Sequence, residues 1–224
     1  TSDIFLPKIT TAKALNKSLD IIQALSATAM SELLELNKGS GLGPGEALLY
    51  FLLDNATIGG GNSAGVDIID NGTKYELKAV KLRKKDMMLN DFRLGGTVDI
   101  SDIQARLMRL KKAMLKEMPR VKEGEKVGIN GQHIEAFKNK KVQDLIKSRD
   151  DLTSYEDLEK EFQEIAYKEY FKAHPIIFIG SQDTNSNETG RIYAIMNVKK
   201  EDIRIHQVTS STIKPGILIK KIGI

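Results

Sequence analysis

Val66-Asp67-Ile68-Ile69-Asp70-Asn71-Gly72-Thr73-Lys74-Tyr75-Glu76-Leu77-Lys78 is the stretch whose reading decides the fold. Two alternating apolar runs flank an Asn-Gly pair, a strong short-range signal for a β-hairpin with a two-residue turn. With Asn71 and Gly72 in the turn, Asp70 pairs with Thr73, Ile69 with Lys74, Ile68 with Tyr75 and Asp67 with Glu76. Directly opposed residues hold their Cβ atoms about 4.5–5.5 Å apart, and like charges at that separation destabilise a sheet. Asp67 and Glu76 therefore need a positive neighbour. Lys78 lies two residues beyond Glu76 and shares its face by the period of a strand.

Two close carboxylates beside a lysine are costly unless a cation binds, and hard oxygen ligands suit Mg2+ or Mn2+. Such an ion, its shell completed by phosphate oxygens and water, would polarise a phosphodiester and activate a water as nucleophile. Lys78 would position or deprotonate that water, or stabilise charge developing in the transition state. Burial and the cation favour neutral lysine, whereas Asp67 and Glu76 favour the ammonium, so its protonation state stays open. Asp70 is a rival ligand, although Asp-Asn-Gly is ordinary turn chemistry. The plainer reading of the whole pattern is a solvent-facing charged hairpin, because alternating strands turn polar residues outward.

Gly65-Val66-Asp67, eight intervening residues and Glu76-Leu77-Lys78 together resemble the active-site signature of the PD-(D/E)XK nuclease superfamily. That resemblance implies an α/β (α+β) fold of the restriction-endonuclease-like kind, a central mixed sheet flanked by helices. It implies that Asp67 and Glu76 bind a divalent metal, that Leu77 offers its backbone carbonyl and that Lys78 assists the nucleophile. Glu46, in Gly45-Glu46-Ala47, resembles the glutamate that many members supply from an upstream helix, as a further catalytic and metal residue. Gln104 or Arg106 matches the polar residue that the following helix often carries towards the site. Val66 stands where the family has proline. The likeness covers roughly Gly43 to Lys116 and implies a Mg2+-dependent deoxyribonuclease with DNA as its partner. The alternative is a non-catalytic nucleic-acid-binding or structural protein that keeps the fold.

Around this core, Leu15, Leu19, Ile22, Leu25, Ala29, Leu33 and Leu36 recur at helical spacing, which predicts a long helix over about 12–36. A short buried helix follows over Ala47 to Leu53, with Glu46 in its first turn. Gly59-Gly60-Gly61-Asn62-Ser63-Ala64-Gly65 lacks the Lys-Ser/Thr of a P-loop and reads as a flexible approach to the hairpin. Lys78 to Lys85 carries five basic residues in eight. Lys81, Arg83, Lys84 and Lys85, with Arg109 further on, are candidates to neutralise a DNA backbone, against the default of a solvated face. Leu94 to Ile100 suggests a strand. Ser101-Asp102-Ile103-Gln104 fits a capping box opening a helix to about Met118, with Ile103, Leu107, Leu110 and Met114 inward.

Val121 to Ser148 is patternless enough to read as an irregular insertion. Thr153 to Glu156 fits a second capping box, for a helix to about Lys172. Strands are expected over 175–179, 191–196, 203–208 and 216–219. The whole reads as one nuclease-like domain, its core over about 12–118 plus additional C-terminal strands over 175–219.

Composition bounds this reading without adding to it. The chain has 224 residues, 41% hydrophobic and 29% charged, with 34 Lys plus Arg against 30 Asp plus Glu, an ordinary globular balance that names no partner. With no cysteine there is no disulfide framework or thiolate metal site, and His133, His174 and His206 have no ligand spacing. Aromatic residues, at 6%, are too few for base stacking to dominate. No run approaches the roughly 18 apolar residues of a membrane helix and no signal-peptide pattern opens the sequence, so a cytoplasmic, intracellular location away from membranes is expected. Symmetric cutting of duplex DNA would call for a homodimer.

Overall fold

The protein is a mixed α/β chain, described by a computed structural model over residues 11–15, 44–59, 66–83, 87–94, 98–118, 121, 128–180 and 192–219. It divides into two compact units, one of residues 1–89, 171–198 and 218–224, the other of 90–170 and 199–217. The C-terminal strands assigned to a single core from sequence thus divide between the units.

In the first unit the hairpin has the expected register. Strands β2 (Ile68–Asp70) and β3 (Thr73–Arg83) run antiparallel, with Ile68 opposite Tyr75, Ile69 opposite Lys74 and Asp70 opposite Thr73. Asn71 and Gly72 have φ of 47° and 78°, the left-handed pair that a type I′ turn requires. Strand β1 (Ala56–Ile58) lines the far edge of β2, antiparallel. A short β4 (Met88–Asn90) follows β3. Strand β5 (Ile176–Gly180) joins the other edge of β3 in parallel, and β6 (Ile192–Met196) pairs antiparallel with β5. β3 is the middle strand of β1-β2-β3-β5-β6, so the acidic strand lies at the centre of a mixed sheet.

Strand alternation divides the side chains of β3 between two faces. Tyr75 and Leu77, with Ile68, Ile177 and Ile179, pack with Leu15 of helix α1 (Ala12–Leu15) and Leu48, Leu49 and Leu52 of α2 (Pro44–Leu52). Glu76 and Lys78 project from the opposite face, level with Ile176 and Phe178 of β5. The helix expected over 12–36 is described only as α1, its remainder lying outside the described residues.

Asp70, 2% exposed, has a structural duty that explains its burial. Its Oδ2 accepts the Ala12 amide of α1 at 2.6 Å, and its Oδ1 accepts the Asn71 side-chain amide at 3.1 Å. The turn aspartate therefore holds a helix start fifty-eight residues away and satisfies an amide that no helical carbonyl can reach. Replacing Asp70 with alanine is expected to cost about 1–3 kcal/mol in urea unfolding, the range for a hydrogen bond to a charged acceptor whose partner is left buried.

The second unit is built on α3 (Ser101–Glu117), which buries Ile103, Leu107, Leu110 and Met114 as expected and leaves Arg109, Lys112 and Lys116 exposed. Its start differs in detail from the sequence reading. Ser101 is the first helical residue, no side chain caps Ile100, and Asp99 Oδ1 accepts both the Ser101 amide at 3.1 Å and its hydroxyl at 2.7 Å. Residues 131–147, expected to be irregular, are the helices α4 (Gly131–Phe137) and α5 (Lys140–Lys147). Asn130 and Asn139 supply the caps, and His133 closes a capping box with Asn130. These short helices carry too few turns for periodicity to announce them. No strand forms in the described part of 94–100.

Helix α6 (Tyr155–Ala166), capped by Ser154, packs on α3 and on β7 (Ile203–Val208), which pairs antiparallel with β8 (Ile213–Leu218). Two of the acidic residues of α6 are structural. Glu159 accepts the Tyr155 hydroxyl at 2.8 Å and the Ile205 amide at 3.0 Å, and Glu161 pairs with Arg106 of α3. Among the described residues no helix is long and apolar enough to cross a membrane.

Candidate functional site

Three contacts fix Asp67. Its amide donates to the Tyr75 carbonyl at 2.9 Å, its carbonyl accepts the Gly59 amide at 2.8 Å, and its Oδ2 accepts the Leu77 amide at 2.7 Å. Tyr75 already faces Ile68. The ladder ends there, because two successive residues, Asp67 and Ile68, are drawn to one partner as in a β-bulge. The direct Asp67–Glu76 pairing expected from sequence is thereby replaced by a side-chain clasp, with the Asp67 carboxylate lying on the main chain between Glu76 and Lys78.

Glu76 is held from the other edge, where its amide donates to the Pro175 carbonyl at 3.1 Å and its backbone lies opposite Ile176. Only 8% of it is exposed. Lys78 Nζ stands 2.5 Å from Glu76 Oε1, the positive neighbour that the hairpin chemistry demanded. Strand period supplies this contact, since residues i and i+2 share a face.

Burial holds the Asp67 carboxyl above the ordinary aspartate range. The Leu77 amide opposes this, the charge of Glu76 reinforces it and Lys78 lowers it again; the net direction is upward. Burial is the main cause, so the ionised carboxylate is poorly solvated here, and an oxygen-binding cation would offset that cost. Asp67, Glu76 and the Leu77 carbonyl make a hard oxygen set, and a carboxylate accepts more than one contact. Among the described residues no three His, Cys, Asp or Glu side chains are grouped to hold a metal ion. A cation here would therefore take its remaining ligands from phosphate and water, as Mg2+ commonly does.

Of the other candidate residues, Glu46 lies half-buried in the first turn of α2, the helix packed on the Leu77 face, and is not part of a three-carboxylate group. Lys81 is exposed and Arg83 half-buried on β3; Lys84 and Lys85 lie outside the described residues. In the second unit Gln104 donates to the Thr209 carbonyl at 2.6 Å, and Arg106 is held by Glu161 and by Asp102, 2.8 Å away. Both are tied to partners within the second unit. Arg109 is exposed. Gly59, expected in a flexible approach to the hairpin, lies against it, its amide on the Asp67 carbonyl. Its signal was the place of the glycine run, directly between two strands.

No family model, curated protein or solved structure matches the chain. The functional reading therefore stands on the geometry around Asp67 and on the resemblance of its motif.

Proposed function

We propose that the protein is a Mg2+-dependent deoxyribonuclease with a restriction-endonuclease-like core. The observation that carries this reading is the clasp of the Asp67 carboxylate on the Leu77 amide, between Glu76 and Lys78, on the central strand of a mixed sheet. Asp67, Glu76 and the Leu77 carbonyl would hold Mg2+ or Mn2+. When bound, the ion would polarise the phosphodiester and favour ionisation of an attacking water. Lys78 would orient that water by hydrogen bonding, or receive its proton if neutral, as the new O–P bond forms and the P–O bond to the leaving strand breaks. Lys81, Arg83 and Arg109 are exposed or half-buried cations of the kind that neutralise a nucleic-acid backbone. Lys84 and Lys85 belong to the same proposal by sequence alone, as does Glu46 as an additional metal residue.

A second reading has its own observation. Lys78 rests on Glu76 and Leu77 on Asp67, so the cluster partly balances its own charge and would serve a binding module without catalysis. Incubating the purified protein with supercoiled plasmid, linear duplex and single-stranded DNA separates the two. Cleavage with Mg2+ that EDTA abolishes is the expected result. Retarded but uncut DNA under both conditions would support the binding module instead. The same gel distinguishes internal from terminal cutting, and light scattering of the protein with a duplex reports whether two copies act together.

A further inference from the structure

We propose that Gly59 is a positioning residue for Asp67, a role that rests on the metal-site reading above and adds to it the element that sets the ligand in place. Strand β1 ends at Ile58, opposite Ile68. One residue later the Gly59 amide reaches the Asp67 carbonyl at 2.8 Å. The chain entering the hairpin folds its Val66 carbonyl over Gly59 as it turns into the bulge. A Cβ at position 59 would fall 2.7 Å from the Val66 carbonyl carbon, 3.1 Å from Val66 Cγ1 and nearer still to the Val66 carbonyl oxygen.

The carbonyl carbon and oxygen are main chain, fixed by the neighbouring contacts, and they cannot rotate aside as a side-chain end would. The 66–67 peptide would have to withdraw. Its withdrawal breaks the Gly59–Asp67 bond and draws the Asp67 carboxylate from the Leu77 amide, because Asp67 is the residue on which both contacts meet. Metal ligands tolerate displacements of only about 0.2 Å. The absent side chain at 59 therefore governs where a charged oxygen stands, across a neighbouring strand.

Gly72 supplies the control. It has φ of 78°, where an L side chain is strained, but a Cβ there meets no atom within 4 Å. Gly72→Ala should loosen the hairpin without displacing Asp67.

The test measures Mg2+ binding to the full chain by calorimetry, and hydrogen exchange of individual amides by NMR. Gly59→Ala is expected to weaken Mg2+ binding at least tenfold and to lose protection of the Leu77 amide. Gly72→Ala should bind Mg2+ as the wild type does, even where its melting temperature is equally lowered. Wild-type affinity with a protected Leu77 amide in Gly59→Ala would overturn the role. If the wild type itself fails to bind Mg2+, the metal-site reading falls, and Leu77 protection in Gly59→Ala still decides whether Gly59 places Asp67. Should Gly59→Ala not fold, the wild type decides alone. Protection of the Gly59 and Leu77 amides must then rise together on adding Mg2+, and a rise at Leu77 without one at Gly59 would refute the link.

Discussion

Asp67→Asn is expected to lower cleavage about 10²–10⁴-fold at pH 7, and to raise the melting temperature of the same protein in EDTA. The first effect follows if a ligand of the cation is lost, since the ion contributes several kcal/mol of charge stabilisation and each 1.36 kcal/mol is about tenfold in rate. The second follows from the burial that holds the Asp67 carboxyl above its ordinary range, so that the folded form binds its proton more tightly than the unfolded chain does. Stability from that proton is complete below the unfolded value, about 3.9, and is lost as pH rises through the higher folded value. Ionised Asp67 is thus a burden on the metal-free protein at neutral pH. Asparagine removes the charge and still accepts the Leu77 amide. The gap between the two melting curves should close as pH falls to about 4. Mg2+ should stabilise the wild type by about 2.7 kcal/mol at a hundredfold excess over Kd and leave the variant unmoved. Equal melting temperatures in EDTA across pH 4–8 would refute the electrostatic account.

Lys78→Ala should also lower cleavage about 10²–10⁴-fold, the range for loss of a positioned proton-transfer or charge-stabilising group. Its effect on stability should run the other way. Glu76 is 8% exposed and would be left without the ammonium 2.5 Å away. Removing one partner of a buried pair costs about 3–5 kcal/mol, and partial exposure of Lys78 reduces this to about 1–3 kcal/mol. Glu76→Gln/Lys78→Met should recover most of that loss while remaining inactive. A double variant no more stable than Lys78→Ala would mean that the stranded Glu76 charge is not the cause of the loss. The two substitutions therefore separate catalytic duty from structural duty by the opposite signs of their stability changes.

The register of β2 on β3, the Asn71-Gly72 turn and the shared face of Glu76 and Lys78 were legible in the sequence because each follows from a period of two and a specific turn chemistry. The strands expected over 203–208 and 191–196 were legible from their apolar runs, and the inward stripe of α3 from the helical period. The bulge at Asp67 was not, since it depends on the Gly59 and Tyr75 contacts across two other strands. Asp70 looked like turn chemistry alone because its helix lies far away in sequence, and the chemistry of an aspartate does not say which amide it will meet. Arg106 read as a residue turned towards the site, and its partner Glu161 lies on a helix fifty-five residues further along the chain. Helices α4 and α5 were hidden by length, although the asparagines that cap them were in plain view. Long-range partners, rather than local pattern, account for most of what was missed.

The parallel pairing of β3 with β5 places Glu76 beside Ile176, one hundred residues further along the chain. Two clocks therefore govern the centre of this sheet. A hairpin closes in roughly 1–10 μs, whereas joining distant segments waits on the slow search that makes high-contact-order folds take milliseconds to seconds. During that interval Asp67, Glu76 and Lys78 are neighbours on a hairpin open to water along one edge. A ribosome-bound chain that stops short of residue 176 would carry every acidic group of the centre and lack the strand that seats Glu76. Seating of Glu76 is thus tied to completion of β5, the partner furthest along the chain.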